Sequence, residues 1–68
     1  MRTVWRRISM DKMNKLIKKH NLSFIEQEIL KRLRKGVSQR IIADETTYSI
    51  CMIEKYVKGI YEKVKDEL

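Results

Sequence analysis

The chain has 68 residues, 43% hydrophobic and 37% charged, with a formal net charge of +7. That length predicts one compact unit, with little room for a pocketed active site and its scaffold. One cysteine excludes an internal disulfide and a cysteine-based zinc finger, and no apolar run approaches the ~18 residues of a membrane span.

The absence of proline, with only two glycines, favours helix throughout. Residues 1–8 show no clear period and read as a basic arm. Within it Trp5, between Arg2 and the pair Arg6 and Arg7, reads as an anchor pinning the arm to the core; contact with nucleic acid is the alternative. Ser9 is the expected N-cap of a first helix, with Asp11 placed well for its positive end. Met10, Met13, Leu16 and Ile17 recur there at helical spacing, while Lys12, Lys15, Lys18 and Lys19 fill the other face. At about 11 residues this amphipathic helix is short for binding a membrane surface alone, so a docked helix is expected.

His20-Asn21 marks a break. Ser23 and Glu26 then have the spacing of a capping box. The helix behind them puts Ile25, Ile29, Leu30 and Leu33 on one face and stops at Gly36. Ser38 is the expected cap of a short helix containing Ile41, Ile42 and Ala43 and ending around Thr46-Thr47; Ser49 caps the last helix. In that helix Ile53, Val57, Ile60 and Val64 form one stripe, so burial on one side is predicted. The expected fold is all-α: a small bundle of about four helices, divided into a basic arm and amphipathic helix over 1–21 and a domain over 22–68. Within that domain a short helix, a three- to four-residue turn and a longer capped helix are the helix-turn-helix arrangement. Ala43 supplies the small residue at the crossing, and Ile42, Tyr48 and Ile53 are spaced to tie the pair together.

Charge is unevenly placed. Residues 1–40 carry 12 basic and 3 acidic side chains, net +9, whereas residues 41–68 carry 4 and 6, net −2. A basic first half suggests a phosphate-facing surface; a solvated face of Lys and Arg is the plainer explanation for any single run.

The segment from Leu22 to Val64 resembles the LuxR/FixJ-type (GerE-like) helix-turn-helix domain of bacterial transcription regulators, within the winged-helix-like DNA-binding superfamily. That family opens on Leu-Thr-x-x-Glu-x-Glu-Val-Leu; this chain reads Leu22-Ser23-Phe24-Ile25-Glu26-Gln27-Glu28-Ile29-Leu30. Gly36, Ser38, Ile42 and Ala43 match the family's Gly, cap and Ile-Ala pair, and Ser49, Ile53, Ile60, Lys63 and Val64 fall in its recognition-helix pattern. The chain departs from that pattern at Ile41, in place of an acidic residue, and at Thr46, in place of Leu. In the recognition helix, Cys51-Met52-Ile53 replaces Lys-Thr-Val, Glu54 stands at an often basic position and Tyr56 replaces a frequent His. The family's fourth helix, used in dimerisation, has no counterpart before Leu68, and the extra N-terminal helix is expected to take its place.

The resemblance implies a bacterial or phage DNA-binding regulator whose recognition helix, residues 49–64, lies in the major groove. Base contacts are expected from Glu54, Lys55 and Lys58, with Gly59 on the same face. Phosphate contacts are expected from Lys31, Arg34, Lys35, Gln39, Arg40 and Ser49. A dimer or docking surface is expected from Met10, Met13, Leu16 and Ile17, with Ile41 as an extension of it. Double-stranded DNA is the expected partner and the cytoplasm, at the nucleoid, the expected place; a homodimer and a protein partner remain open. No membrane, cofactor, metal or small-molecule ligand is expected. The serious alternative is an adaptor of the same fold that binds a protein, such as RNA polymerase or another regulator. Region 4 of a sigma factor shares the Ile-Ala and Ser-x-x-x-Ile pattern but has a longer segment before its glycine.

Catalysis has little support. His20 is the sole histidine and lacks neighbours at ligand spacing, and no glycine-rich phosphate loop is present. Glu26 and Glu28, two apart on a helix, point to different sides. Cys51, near a helix start, reads as a small side chain, with redox sensing as the alternative. An enzyme is not expected.

Overall fold

A computed structural model describes residues 5–68, so Arg2 lies outside the described residues. Among the described residues four α-helices are bounded: α1 (Met10–Lys19), α2 (Phe24–Arg34), α3 (Gln39–Thr46) and α4 (Ile50–Val64), with a closing 3₁₀ turn at Lys65–Glu67. Among the described residues there is no strand, and no helix is long and apolar enough to cross a membrane.

Each helix starts where a serine stands. Ser9, Ser23, Ser38 and Ser49 are extended, and each side chain accepts from the backbone N–H three residues on. Such a cap satisfies one of the four orphan donors of a helix start and contributes about 1 kcal/mol. At Ser23 the box is complete, because Glu26 Oε1 accepts from the Ser23 N–H at 2.9 Å.

The helix ends differ in chemistry. Gly36 has φ +84°, its N–H donates to Leu33 O at 2.9 Å and the Val37 N–H donates to Arg32 O at 3.0 Å. These two bonds make a Schellman ending. Asn21, at φ +49°, ends α1 the same way, with the Leu22 N–H donating to Ile17 O at 3.1 Å. Leu22 is buried, so the reversal also directs an apolar side chain inward. At the end of α3 the left-handed residue is Thr47, φ +63°. A β-branched side chain there crowds its own backbone and stores on the order of 1 kcal/mol of strain.

One apolar core joins all four helices. α4 contributes Ile53, Val57, Ile60 and Val64, α2 contributes Ile29, Leu30 and Leu33, and α3 contributes Ile42 and Ala43. Met13 and Leu16 of α1 enter the same cluster, as do Trp5 and Ile8 ahead of it. Trp5 is therefore the anchor expected of it and Ile8 packs with it, while Arg6 and Arg7 between them are exposed. Trp5 is 3% exposed and meets Tyr61 edge-on at a centroid distance of 6.1 Å. Ile8 is fixed through its carbonyl, which accepts from Arg34 Nε at 2.9 Å.

Of the docking or dimer surface expected from Met10, Met13, Leu16 and Ile17, the last three dock on the chain's own bundle, and Met10 does not. Met13 and Leu16 are core residues, unavailable to a second subunit, and Ile17 is half-buried against the core. Met10 faces solvent at 54% exposure, because at the first position of α1 it lies beyond the rim of the core.

Polar ties run between the helices at the rim. Arg32 Nε donates to Glu45 Oε1 at 2.9 Å, joining α2 to α3, while Arg32 Nη1 donates to Glu28 at 3.2 Å. The hydrogen bonds that Arg32 donates to Glu45 and then to Glu28 raise its pKa. Lys63 Nζ donates to Glu26 Oε2 at 2.9 Å, joining α4 to the start of α2. Glu67 takes Lys19 Nζ at 2.8 Å and His20 Nε2 at 2.5 Å, so the last turn closes on the end of α1.

Candidate nucleic-acid interface

α3 and α4 are joined by Thr47, Tyr48 and Ser49. The short link works because Thr47 takes the left-handed conformation, which reverses the chain within one residue. Thr46 adds to the stop by turning its hydroxyl back onto Ile42 O at 2.6 Å. Ile42 and Ile53 are fully buried, and Ala43 is 8% exposed, as a tight crossing of the two helices requires. Tyr48 remains 38% exposed and meets Tyr56 edge-on at 6.2 Å, bracing the turn against the second turn of α4. The α3–α4 pair thus has the parts of a helix-turn-helix.

Because one stripe of α4 is buried, the helical period fixes what faces out. Cys51, Lys55, Lys58 and Glu62 occupy the opposite stripe and are all exposed. Glu54 is exposed on its shoulder. Among the described residues, Glu54, Lys55 and Lys58 enter no ion pair, so their charges are not internally neutralised. Gly59 sits between them and Lys63, and a Cβ added there would meet nothing within 4 Å. Internal packing therefore does not account for this glycine.

The residues expected at phosphates fall into distinct environments. Lys35 and Arg40 are exposed on either side of the α2–α3 connection. Lys31 is exposed and 3.7 Å from Glu28, a loose pair. Gln39 is half-buried. Arg34 is half-buried and committed through Nε to the Ile8 carbonyl, which makes it a bolt for the arm. The Ser49 hydroxyl accepts the Met52 N–H at 3.2 Å, leaving its hydrogen for an outside acceptor.

Two features were not found from the sequence. Arg6 lies against Gly36, where an added Cβ would stand 3.1 Å from Arg6 Nε, so the arm sets a further exposed cation beside Lys35. No sequence spacing links positions 6 and 36. The second is the apolar start of α4, where Ile50 is 41% and Met52 40% exposed beside exposed Cys51. Its signal was legible, since all three precede the first buried residue of the stripe.

No protein-family model, curated protein or solved structure matches this chain.

Proposed function

We propose that this chain is a sequence-specific DNA-binding transcriptional regulator of the LuxR/FixJ-like kind, with residues 49–64 as its recognition helix. The observation that carries this reading is the outward stripe of α4. Lys55 and Lys58 stand there free of internal ion pairs, on a helix whose other side is wholly buried and whose start follows a tight turn.

In the major groove Lys55 and Lys58 donate to guanine O6 and N7, and Glu54 accepts from cytosine N4. Lys35, Arg40 and Arg6 line the approach and neutralise phosphates, a contribution independent of sequence that falls with salt. The place of action is the cytoplasm, at the nucleoid.

Anisotropy of labelled duplex DNA across a salt series tests the reading. Affinity falls linearly on a log–log plot, with a slope set by the phosphates neutralised. Lys55→Ala and Lys58→Ala each cost about 1–3 kcal/mol on the preferred sequence and less on random DNA. Equal losses on both make these lysines phosphate contacts, and no binding at low salt ends the reading.

A second reading, an adaptor docking on a protein, is favoured by Ile41 at 48% and Phe24 at 78% exposure, apolar surface that phosphates do not reward. Co-purification of one defined partner lost in Ile41→Lys, with DNA binding absent, supports it.

A further inference from the structure

We propose that the start of α4 reads thymine: Tyr48, Ile50, Cys51 and Met52 form an apolar tip that selects base pairs presenting the thymine 5-methyl group in the major groove. This inference rests on the DNA reading above and names the class of sequence it selects.

Three observations carry it. First, the tip is uncharged and open: Tyr48, Ile50 and Met52 are each between 38% and 41% exposed, and Cys51 is exposed as well. Second, its placement is terminal. Ile50, Cys51 and Met52 are the first three residues of α4, and successive steps of about 100° spread them around roughly 200° of its circumference. Third, Lys55 and Lys58 continue the exposed stripe behind the tip, with the exposed carboxylate of Glu54 on its shoulder. The occupant is the duplex of the DNA reading above, whose groove the tip enters ahead of these lysines.

The chemistry of the groove then decides what the tip can meet. Guanine presents two acceptors, cytosine a donor and adenine one of each; thymine alone adds a methyl group. An apolar side chain pressed on a G·C edge strips water from groups it cannot pair, which is unfavourable. Pressed on a thymine methyl, it buries apolar surface on both partners. The inference thus divides the helix by function: the tip reads A·T steps, and the lysines one and two turns on read guanine or phosphate.

The test uses the whole chain and selection from a random duplex library, followed by anisotropy titrations. The selected site is expected to hold a short A·T-containing step beside any guanine. Replacing its thymines with deoxyuridine, one at a time, removes only the methyl group. Each critical replacement is expected to weaken binding about fourfold, the worth of one buried methyl. Ile50→Ser with Met52→Gln, both at exposed positions, is expected to abolish that sensitivity and leave the salt slope unchanged. Full-strength binding to every uracil-substituted site, or a selected site of G·C alone, overturns the inference while the DNA reading stands. Absence of salt-dependent duplex binding overturns both, and directs the search to a protein partner.

Discussion

At its C-terminal end α4 is fastened by Trp5 against Tyr61, by the Glu26–Lys63 ion pair and by the burial of Ile60 and Val64. At its N-terminal end Ile50, Cys51 and Met52 stand in solvent, while Ile53 is buried at the crossing with α3 and Tyr48 meets Tyr56 edge-on. The same helix is thus a structural member at one end and a presented surface at the other. The inward stripe of α4 packs along its length against α2 and α3, and the arm adds Trp5 and Ile8 to the same core. The presented end keeps its direction through Ser49, Thr47 and the burial of Ile53.

The largest effect that breaks this contrast is expected at the fastened end. Ile60→Ala removes a fully buried side chain and costs about 2–5 kcal/mol, measured by urea denaturation; a cost below 1 kcal/mol means that the helix is not anchored there. At the presented end Thr47→Gly relieves the left-handed strain and raises stability by about 1 kcal/mol. A loss instead places the value of Thr47 in its hydroxyl, which donates to Thr46 O. Gly59→Ala faces open space on an exposed helix and stabilises by about 0.5–1 kcal/mol. Weaker DNA binding by that more stable variant marks Gly59 as a point of close approach.

The smallest effect is in pH. At Glu26 burial raises the pKa, but hydrogen bonds from Lys63 and the Ser23 backbone outweigh it and leave a net lowering. At Glu67 hydrogen bonds from Lys19 and then His20 lower it. A folded pKa below the unfolded one means that stability is fully present above the ordinary value of 4.5 and is lost as pH falls through the folded values. Melting temperature is expected to decline on acidification below that value, less steeply in Glu26→Gln. High salt is expected to shrink the Glu67 share, since that pair is solvent-facing.

Helix positions were legible because serine caps and an unbroken i, i+4, i+7 stripe are local signals; Ser9, Ser23, Ser38 and Ser49 each cap as expected. The outward position of Glu54, Lys55 and Lys58, expected from the family resemblance, agrees with the same stripe. Trp5 was legible as an anchor of the arm, but Ile8 was not legible as core, because two apolar residues give one helical interval, too short to define a period. Their burial depends on contacts with Tyr61 and Arg34, far along the chain. The same limit hid the commitment of Arg34, whose partner is a backbone carbonyl, and the pairing of Arg32 with Glu45. Met13 and Leu16 had the right spacing for a surface or a core, and only the packing of α1 decided between them.

The position of Trp5 has an optical consequence. It is the chain's single tryptophan, sealed at the fastened end against Tyr61, which lies about 15 Å along α4 from the presented tip. Its emission is expected to be blue-shifted in the folded state and to move red when the arm detaches or the core opens. A ligand settling on the tip leaves that colour unchanged. The native fluorophore therefore reports on integrity alone, so a tip variant that fails to bind while keeping a blue emission has lost recognition and not its fold.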